Sequence, residues 1–159
     1  MTLGIRNAEP QDVPVVAELI WQLARFEKLE KEVVMTEELL AKALFGTPRY
    51  AEAVLAEEDG EPIGFALFFH TFSTFLARPG IYLEDLFVLP DHRGQGVGRA
   101  LLAYLAQLAV ERECGRLEWA VLNWNKEAIT FYERLGARPN SEWTVYRLAG
   151  EALQALARK

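Results

Sequence analysis

The stretch YLEDLFVLPDHRGQGVGRALL, residues 82–102, decides how this chain folds. It passes from an apolar strand pattern, through a loop with glycines at positions 94, 96 and 98, into a helix pattern. Glycine has no Cβ, so such a loop lets an anion approach the main chain, and the amides at the start of the following helix point toward it. The stretch therefore predicts a strand, an anion-binding loop and a helix of an α/β protein.

The composition fits one globular domain. The chain has 159 residues, of which 51% are hydrophobic and 25% charged, enough for one sizeable core. The sequence has no apolar run of about 18 residues and no secretory signal pattern, so we expect no membrane segment. Cys114 is the only cysteine, which predicts a cytoplasmic protein without an intramolecular disulfide or a cysteine-rich metal site.

The charge narrows the class of partner. A formal net charge of −6 disfavours nucleic acid, which normally needs a basic stripe on the protein, and would attract small cations such as amines. Moderate acidity also has the simpler explanation that it keeps a protein soluble. His70 and His92 lack close metal-ligand spacing, so we expect no metal site.

Patterns elsewhere in the chain predict a mixed sheet with helices. The predicted strands are residues 3–8, a hairpin around Asp59-Gly60, residues 80–90, 116–122 and 142–148. The predicted helices begin after AEPQD at 8–12, behind the Thr36 cap, at about 97 and at Asn125, and a short helical tail ends the chain. This order predicts a single α/β domain over residues 1–159.

The glycine spacing excludes two common nucleotide-binding loops. No G-x-x-x-x-G-K-[ST] pattern occurs, and the spacing from Gly94 is G-x-G-x-G rather than the G-x-G-x-x-G of dinucleotide-binding loops. What remains is R-x-x-G-x-G, from Arg93 to Gly98, directly opening a helix. A tight strand-to-helix turn is the alternative explanation for these glycines.

This pattern, placed after LEDLFV, resembles the acyl-CoA pyrophosphate loop of the GNAT acetyltransferase superfamily. The segment NWNKEAITFYERLGA, residues 123–137, is similar to the family's second signature. With RFEKLEKEV, residues 25–33, these motifs look like the diamine (spermidine/spermine) acetyltransferase branch. The resemblance covers the whole chain. It implies a mixed, mostly antiparallel sheet flanked by helices, a homodimer, and acetyl transfer from acetyl-CoA to a primary amine of a small molecule by direct attack.

The resemblance also implies a donor site. A main-chain N–H at a bulge in the strand before the loop would polarise the thioester carbonyl. The residues implied in binding acetyl-CoA are Leu86, Phe87, Val88, Arg93, Gly94, Gln95, Gly96, Val97, Gly98, Arg99, Asn125 and Ala128. Asn125 is explained equally well as a helix cap, and both roles can hold at once.

Two side chains are implied in the chemistry. Tyr132 would protonate the leaving thiolate, although a tyrosine on the inner face of an amphipathic helix is more commonly a core aromatic. Glu84 would meet the amine as a base or as a counter-charge. Because Glu84 and Asp85 are neighbours in a strand, we expect only one of them to face a given side. The other residues implied in amine binding are Phe26, Glu27, Glu118, Trp119 and Ala120.

One region departs from the polyamine enzymes of the family. The segment HTFSTFLARPG, residues 70–80, has Thr74 and Leu76 where an acid and a tryptophan are expected, and it adds Arg78. A shorter amine, such as thialysine, therefore fits the sequence at least as well as a long polyamine. Two other functions stay open: acetyl transfer to a protein or peptide amine, and a non-catalytic acyl-CoA-binding module that would not need Tyr132 or Glu84.

Overall fold

The structure is a computed structural model that describes residues 2–159. It divides into two compact units, Met1–Ala120 and Val121–Lys159. The first unit holds a five-stranded sheet of order β1-β2-β3-β4-β5, antiparallel except for the parallel β4–β5 pair. Its strands are β1 Leu3–Asn7, β2 Glu52–Glu58, β3 Glu61–Ser73, β4 Arg78–Val88 and β5 Leu117–Trp119.

Helices flank this sheet, which confirms the predicted α/β class with a mixed, mostly antiparallel sheet. The helices of the first unit are α1 Val13–Phe26, α2 Glu37–Phe45 and α3 Val97–Glu111, and those of the second unit are α4 Lys126–Arg134 and α5 Gly150–Ala157. The predicted cap of α2 is confirmed, because the Leu39 N–H donates to Thr36 Oγ1 over 3.1 Å. The β2–β3 turn is confirmed as well, with positive φ at Asp59 (51°) and Gly60 (85°).

The core of the first unit lies on both faces of the sheet. On one face, Leu55, Phe65 and Phe87 pack into a buried cluster with α1 and α2. Alternate residues of the strands, such as Ala66 and Phe68, are buried outside that cluster. Successive strand residues point to opposite faces, and α3 packs against β4, β3 and β1, so we place α3 on the second face.

A β-bulge interrupts this alternation in β4. Leu67 of β3 pairs with Asp85, but the next residue, Phe68, pairs with Leu83, so Glu84 is the extra residue. Before the bulge, Leu83 is buried outside the α1–α2 cluster, and after it Phe87 is buried inside that cluster. The bulge therefore reverses which residues of β4 face α1 and α2.

The last predicted strand is wrong. In the described part of the second unit, residues 142–148 form no strand, and β5 is shorter than the predicted 116–122. Alternating apolar residues become a strand only where a neighbouring strand bonds their main chain. Trp143, Val145 and Tyr146 are 75%, 91% and 92% exposed.

None of the helices formed by residues 2–159 has the length and apolar character needed to cross a membrane.

Candidate active site

The glycine loop is residues 93–99, which follow the turn after β4 and include the first three residues of α3. Gly94 and Gly96 have φ of 76° and 84°, and Gly96 is the N-cap residue of α3. Among the described residues, no side chain caps this helix start, and no acidic residue lies in its first turn. The amides of the first turn and the positive end of the helix dipole therefore favour an anion there.

Gly98 is the informative glycine of the loop. It lies inside α3, its φ is outside the left-handed range, and a Cβ added to it would meet no described heavy atom within 4 Å. Alanine is favoured over glycine in a helix by about 1 kcal/mol, so the fold gives no reason for glycine at this position. A ligand that approaches the main chain closely gives such a reason.

Arg93, the first residue of the loop, contacts other residues of the chain, one of them on α1. Its Nε donates a hydrogen bond to the Val88 carbonyl oxygen over 2.8 Å. Its guanidinium lies over the rings of Phe26, at 4.7 Å, and Phe87, at 5.1 Å. The Arg93 N–H donates to the Pro90 carbonyl oxygen over 3.3 Å. A residue implied in donor binding thus contacts Phe26, which is implied in amine binding.

The remaining loop side chains differ in burial. Val97 is 2% exposed, so its side chain belongs to the core and only its main chain can face a ligand. Gln95 and Arg99 are exposed. The loop is therefore held to the core at one apolar side chain between two glycines.

The last residues of β4 have one paired and one open edge. Leu86, Phe87 and Val88 pair with β3 at Ala66, Phe65 and Gly64. Strand β5 pairs with β4 at Ile81–Leu83, and no other described strand reaches the same edge beyond Leu83. Main-chain groups of Leu86–Val88 on that edge are consequently outside the sheet's ladder. The bulge lies at Glu84, earlier than the Leu86–Val88 position implied by the resemblance.

The expectation that Glu84 and Asp85 face opposite sides is wrong, because the bulge places both on the face that carries Tyr82. Burial, and after it the charges of Glu84 and Glu27, raise the pKa of Asp85 to about 7. Burial also raises the pKa of Glu27. The pKa of Tyr82 is raised by burial and by the charges of Glu84 and Glu118.

These four carboxyl groups lie close enough to influence one another or a shared neighbour, and we refer to Glu27, Glu84, Asp85 and Glu118 as the acidic group. Glu27 follows the last residue of α1, and Glu118 is paired with Tyr82 across the β4–β5 ladder. Trp119 ends β5, and Ala120 follows it. The residues implied in amine binding are thus on neighbouring elements of the first unit. Sequence reasoning left Asp85 out, because strict alternation hides a bulge.

The second unit carries the other predicted residues. Asn125 Oδ1 accepts from the Ala128 N–H over 3.2 Å, which confirms the predicted cap of α4. Half-buried side chains on α4 include Ala128, Phe131 and Tyr132, and the rings of Phe131 and Tyr132 are 5.6 Å apart. The roles of Asn125, Ala128 and Tyr132 toward the donor stay predictions.

Both histidines have polar neighbours. His70 Nε2 lies 3.2 Å from Arg112 Nη1, and His92 Nδ1 lies 2.7 Å from Glu58 Oε2. Across residues 2–159, no three His, Cys, Asp or Glu side chains are grouped in a way that could hold a metal ion. The structure therefore offers no candidate metal centre in the part of the chain that it describes.

Known proteins resemble this chain over nearly its whole length. The thialysine N-epsilon-acetyltransferase of Bos taurus is 38% identical over 98% of this chain and 97% of that protein. The L-ornithine N5-acetyltransferase of Arabidopsis thaliana is 36% identical over 96% of this chain and 86% of that protein. A Vibrio cholerae integron cassette protein matches in structure with a TM-score of 0.83 and 29% identity, over 100% of this chain and 99% of that one.

The family model named Acetyltransferase (GNAT) family matches residues 15–137. The match includes α1 from its third residue, the acidic group, the glycine loop and α4. With the full-length relatives above, it shows that the chain belongs to the acetyltransferase (GNAT) family, as an N-acetyltransferase.

Proposed function

We propose that this chain transfers the acetyl group of acetyl-CoA to the primary amine of a small molecule. The observation that carries the proposal is the course of β4. The strand presents Glu84 and Asp85 on one face at its bulge, and a short turn at Pro90–His92 connects its end to the glycine loop. A cation attracted by the acidic group is thereby brought to the strand that precedes the donor loop.

An amine at the end of a short side chain is the proposed acceptor. Two similar proteins are named for thialysine and L-ornithine, which are amino acids of this kind. The β3–β4 connection supports a short acceptor, since it carries Thr74 and the 48% exposed Leu76 but no carboxylate for a second ammonium. The acidic group would bind the reacting amine together with Phe26, Trp119 and Ala120.

The glycine loop would hold acetyl-CoA through its main-chain amides. Gly98 supports this role, because the fold itself does not require a glycine there and the lack of a side chain leaves room for a ligand. Arg99 would add positive charge, and Asn125 and Ala128 are the further residues proposed to contact the donor. When bound, acetyl-CoA supplies the thioester whose acetyl group is transferred.

Three groups of the chain would serve the transfer. A main-chain N–H within Leu86–Val88 would polarise the carbonyl. Glu84 would take the proton of the amine or balance its charge, and Tyr132 would give a proton to the departing thiolate. Direct attack by the amine fits the chain better than an acyl-enzyme, because the sequence places no evident base beside a serine or cysteine, and burial raises the pKa of the Cys114 thiol.

We also propose a cytoplasmic homodimer in which each chain forms one domain. The family match spans residues 15–137 and so crosses the boundary at Ala120, which supports a single domain. The exposed Trp143, Val145 and Tyr146 support burial against a second copy, since large exposed apolar patches commonly mark interfaces. Neither a metal nor nucleic acid has a part in this proposal.

Thiol release tests the function. The protein is incubated with acetyl-CoA and, separately, thialysine, ornithine, lysine, putrescine, spermidine or a short peptide, and free thiol is measured. Acceleration by thialysine or ornithine above the no-amine blank is the expected result, with mass spectrometry confirming one added acetyl group.

Two other outcomes would change the conclusion. A response to the peptide alone would favour a protein acceptor. No response to any amine, with acetyl-CoA binding still measurable by calorimetry, would favour a non-catalytic acyl-CoA-binding module.

A further inference from the structure

Arg93 and two aromatic side chains form a cluster that joins the glycine loop to α1. The guanidinium lies 4.7 Å from the Phe26 ring centroid and 5.1 Å from that of Phe87. The two rings are 6.4 Å apart and inclined at 58°. The Nε hydrogen bond to the Val88 carbonyl, 2.8 Å long, fixes the guanidinium along β4. We call Arg93, Phe26 and Phe87 the arginine clamp.

The members of the clamp differ in how firmly the fold holds them. Phe87 is 4% exposed and belongs to the core cluster with α1 and α2. Phe26 is 41% exposed and is the last residue of α1. The main chain at the end of α1 is closed by hydrogen bonds from the Lys28 N–H to the Arg25 carbonyl oxygen and from the Leu29 N–H to the Ala24 carbonyl oxygen, so the place of the half-exposed ring depends on its side-chain contacts. The contact with Arg93 therefore matters most for Phe26.

The position of Phe26 fixes that of the next residue. The Glu27 N–H donates to the Leu23 carbonyl oxygen over 2.9 Å, and Lys28 then turns the chain with a φ of 61°. Glu27 belongs to the acidic group, since its charge contributes to the raised pKa of Asp85. Loss of the clamp would therefore displace a carboxylate on the acceptor side.

We infer that Arg93 is a positioning residue, which fixes the amine-binding end of α1 to the donor loop and thereby sets the affinity for the amine. The inference rests on the proposed function, because Phe26 and Glu27 are placed there in the amine site. Arginine suits the role better than lysine, since its planar guanidinium stacks on rings while its Nε–H donates in the plane.

Steady-state kinetics with thialysine as acceptor test the inference. Arg93→Met and Arg93→Lys should each raise the KM for thialysine about 5- to 10-fold, since both lose the stacked, hydrogen-bonded guanidinium. The matched control is Arg49→Met. Arg49 lies 5.6 Å from the Phe45 ring centroid and donates Nε–H to the Ala51 carbonyl oxygen, away from the loop. It should leave this KM unchanged.

A double variant identifies the route of the effect. If Arg93 acts through Phe26, the KM for thialysine in Phe26→Leu/Arg93→Met should be no higher than in the worse single variant. Additive increases would overturn the inference. An Arg93→Lys protein with the wild-type KM for thialysine would also overturn it, because a positive charge alone would then be enough. So would variants in which only the KM for acetyl-CoA rises, because Arg93 would then serve the donor alone.

Limited trypsin digestion tests the clamp without any turnover. Cleavage after Lys28 and Lys31, measured by mass spectrometry, should be several-fold faster in Arg93→Met than in the wild type and Arg49→Met, with other sites unchanged. Equal rates at Lys28 and Lys31 in all three proteins would overturn the inference. If no amine is acetylated by the wild type, the proposed function fails while this digestion still decides whether Arg93 holds the end of α1.

Discussion

The glycine loop follows β4 in the chain, and two members of the acidic group lie in β4 itself. The two regions are built in opposite ways. The loop offers exposed main chain at Gly94 and Gly96, and among the described residues no acidic side chain lies in the first turn of α3. The acidic group consists of side chains, and its central member, Asp85, is partly buried beside other carboxylates. One region offers main-chain amides and the other carboxylates, so under the proposed function substitutions should separate donor effects from acceptor effects.

The largest expected effect concerns Tyr132, the side chain proposed to protonate the departing thiolate. Tyr132→Phe should lower kcat by about 10²- to 10⁴-fold, the usual contribution of a general acid, and leave the acetyl-CoA dissociation constant unchanged. Stopped thiol-release assays and calorimetry measure the two quantities. Tyr104→Phe is the control, since Tyr104 Oη hydrogen-bonds Asn7 Oδ1 over 3.1 Å. An undiminished kcat would take the acid role from Tyr132.

Glu84→Gln tests the acceptor end. It should lower kcat/KM for the amine by about 10- to 100-fold, because a hydrogen bond to a charged group is lost. A fall in kcat would identify a base, whereas a higher KM for the amine at constant kcat would identify a counter-charge. Glu61→Gln, at the exposed start of β3, serves as the control. Weaker acetyl-CoA binding in Glu84→Gln would contradict the separation of the two regions.

Gly98→Ala tests the donor end. The added methyl group should weaken acetyl-CoA binding about 10-fold while the melting temperature stays the same or rises, since alanine favours the helix. The matched control is Gly4→Ala, at another glycine whose Cβ would meet no described heavy atom within 4 Å. Unchanged acetyl-CoA affinity in Gly98→Ala would leave only the turn explanation for that glycine.

Asp85 gives a signal in stability rather than in binding or turnover. Its folded pKa, about 7, lies above the ordinary value of 3.8. The folded protein therefore binds the proton more tightly, and the stabilisation from this group is full below about pH 4 and lost as pH rises through 7. Asp85→Asn should remove this loss, about 2 to 4 kcal/mol between pH 4 and 8 in urea titrations. A wild-type-like pH slope in the variant would contradict the burial of Asp85 beside the other carboxylates.

The two regions also differ in how far the sequence could predict them. The glycine loop depends on local sequence, so the stretch from Tyr82 to Leu102 predicted the strand, the loop and the helix start correctly. The acidic group depends on the register of β3 against β4. One extra residue at Glu84 turns Asp85 to the same side, and nothing in the order of side chains marks that shift.

The same reasoning explains the failed strand at residues 142–148. Its apolar and β-branched residues, among them Trp143, Val145 and Tyr146, favour a strand, but a strand needs a pairing partner that local sequence does not supply. The clamp could not be predicted either, because Phe26 and Arg93 are distant in sequence and meet only through the fold.

Under the proposed function, Gly98 would make the stability of the protein depend on the supply of the donor. A glycine inside α3 costs about 1 kcal/mol of helix stability, which is roughly a fivefold larger unfolded fraction. A ligand present at about ten times its dissociation constant returns about 1.4 kcal/mol by binding only the folded chain. A cell rich in acyl donor would thus protect the protein from proteolysis, and a cell depleted of it would degrade the protein faster, so its abundance would follow the metabolic state.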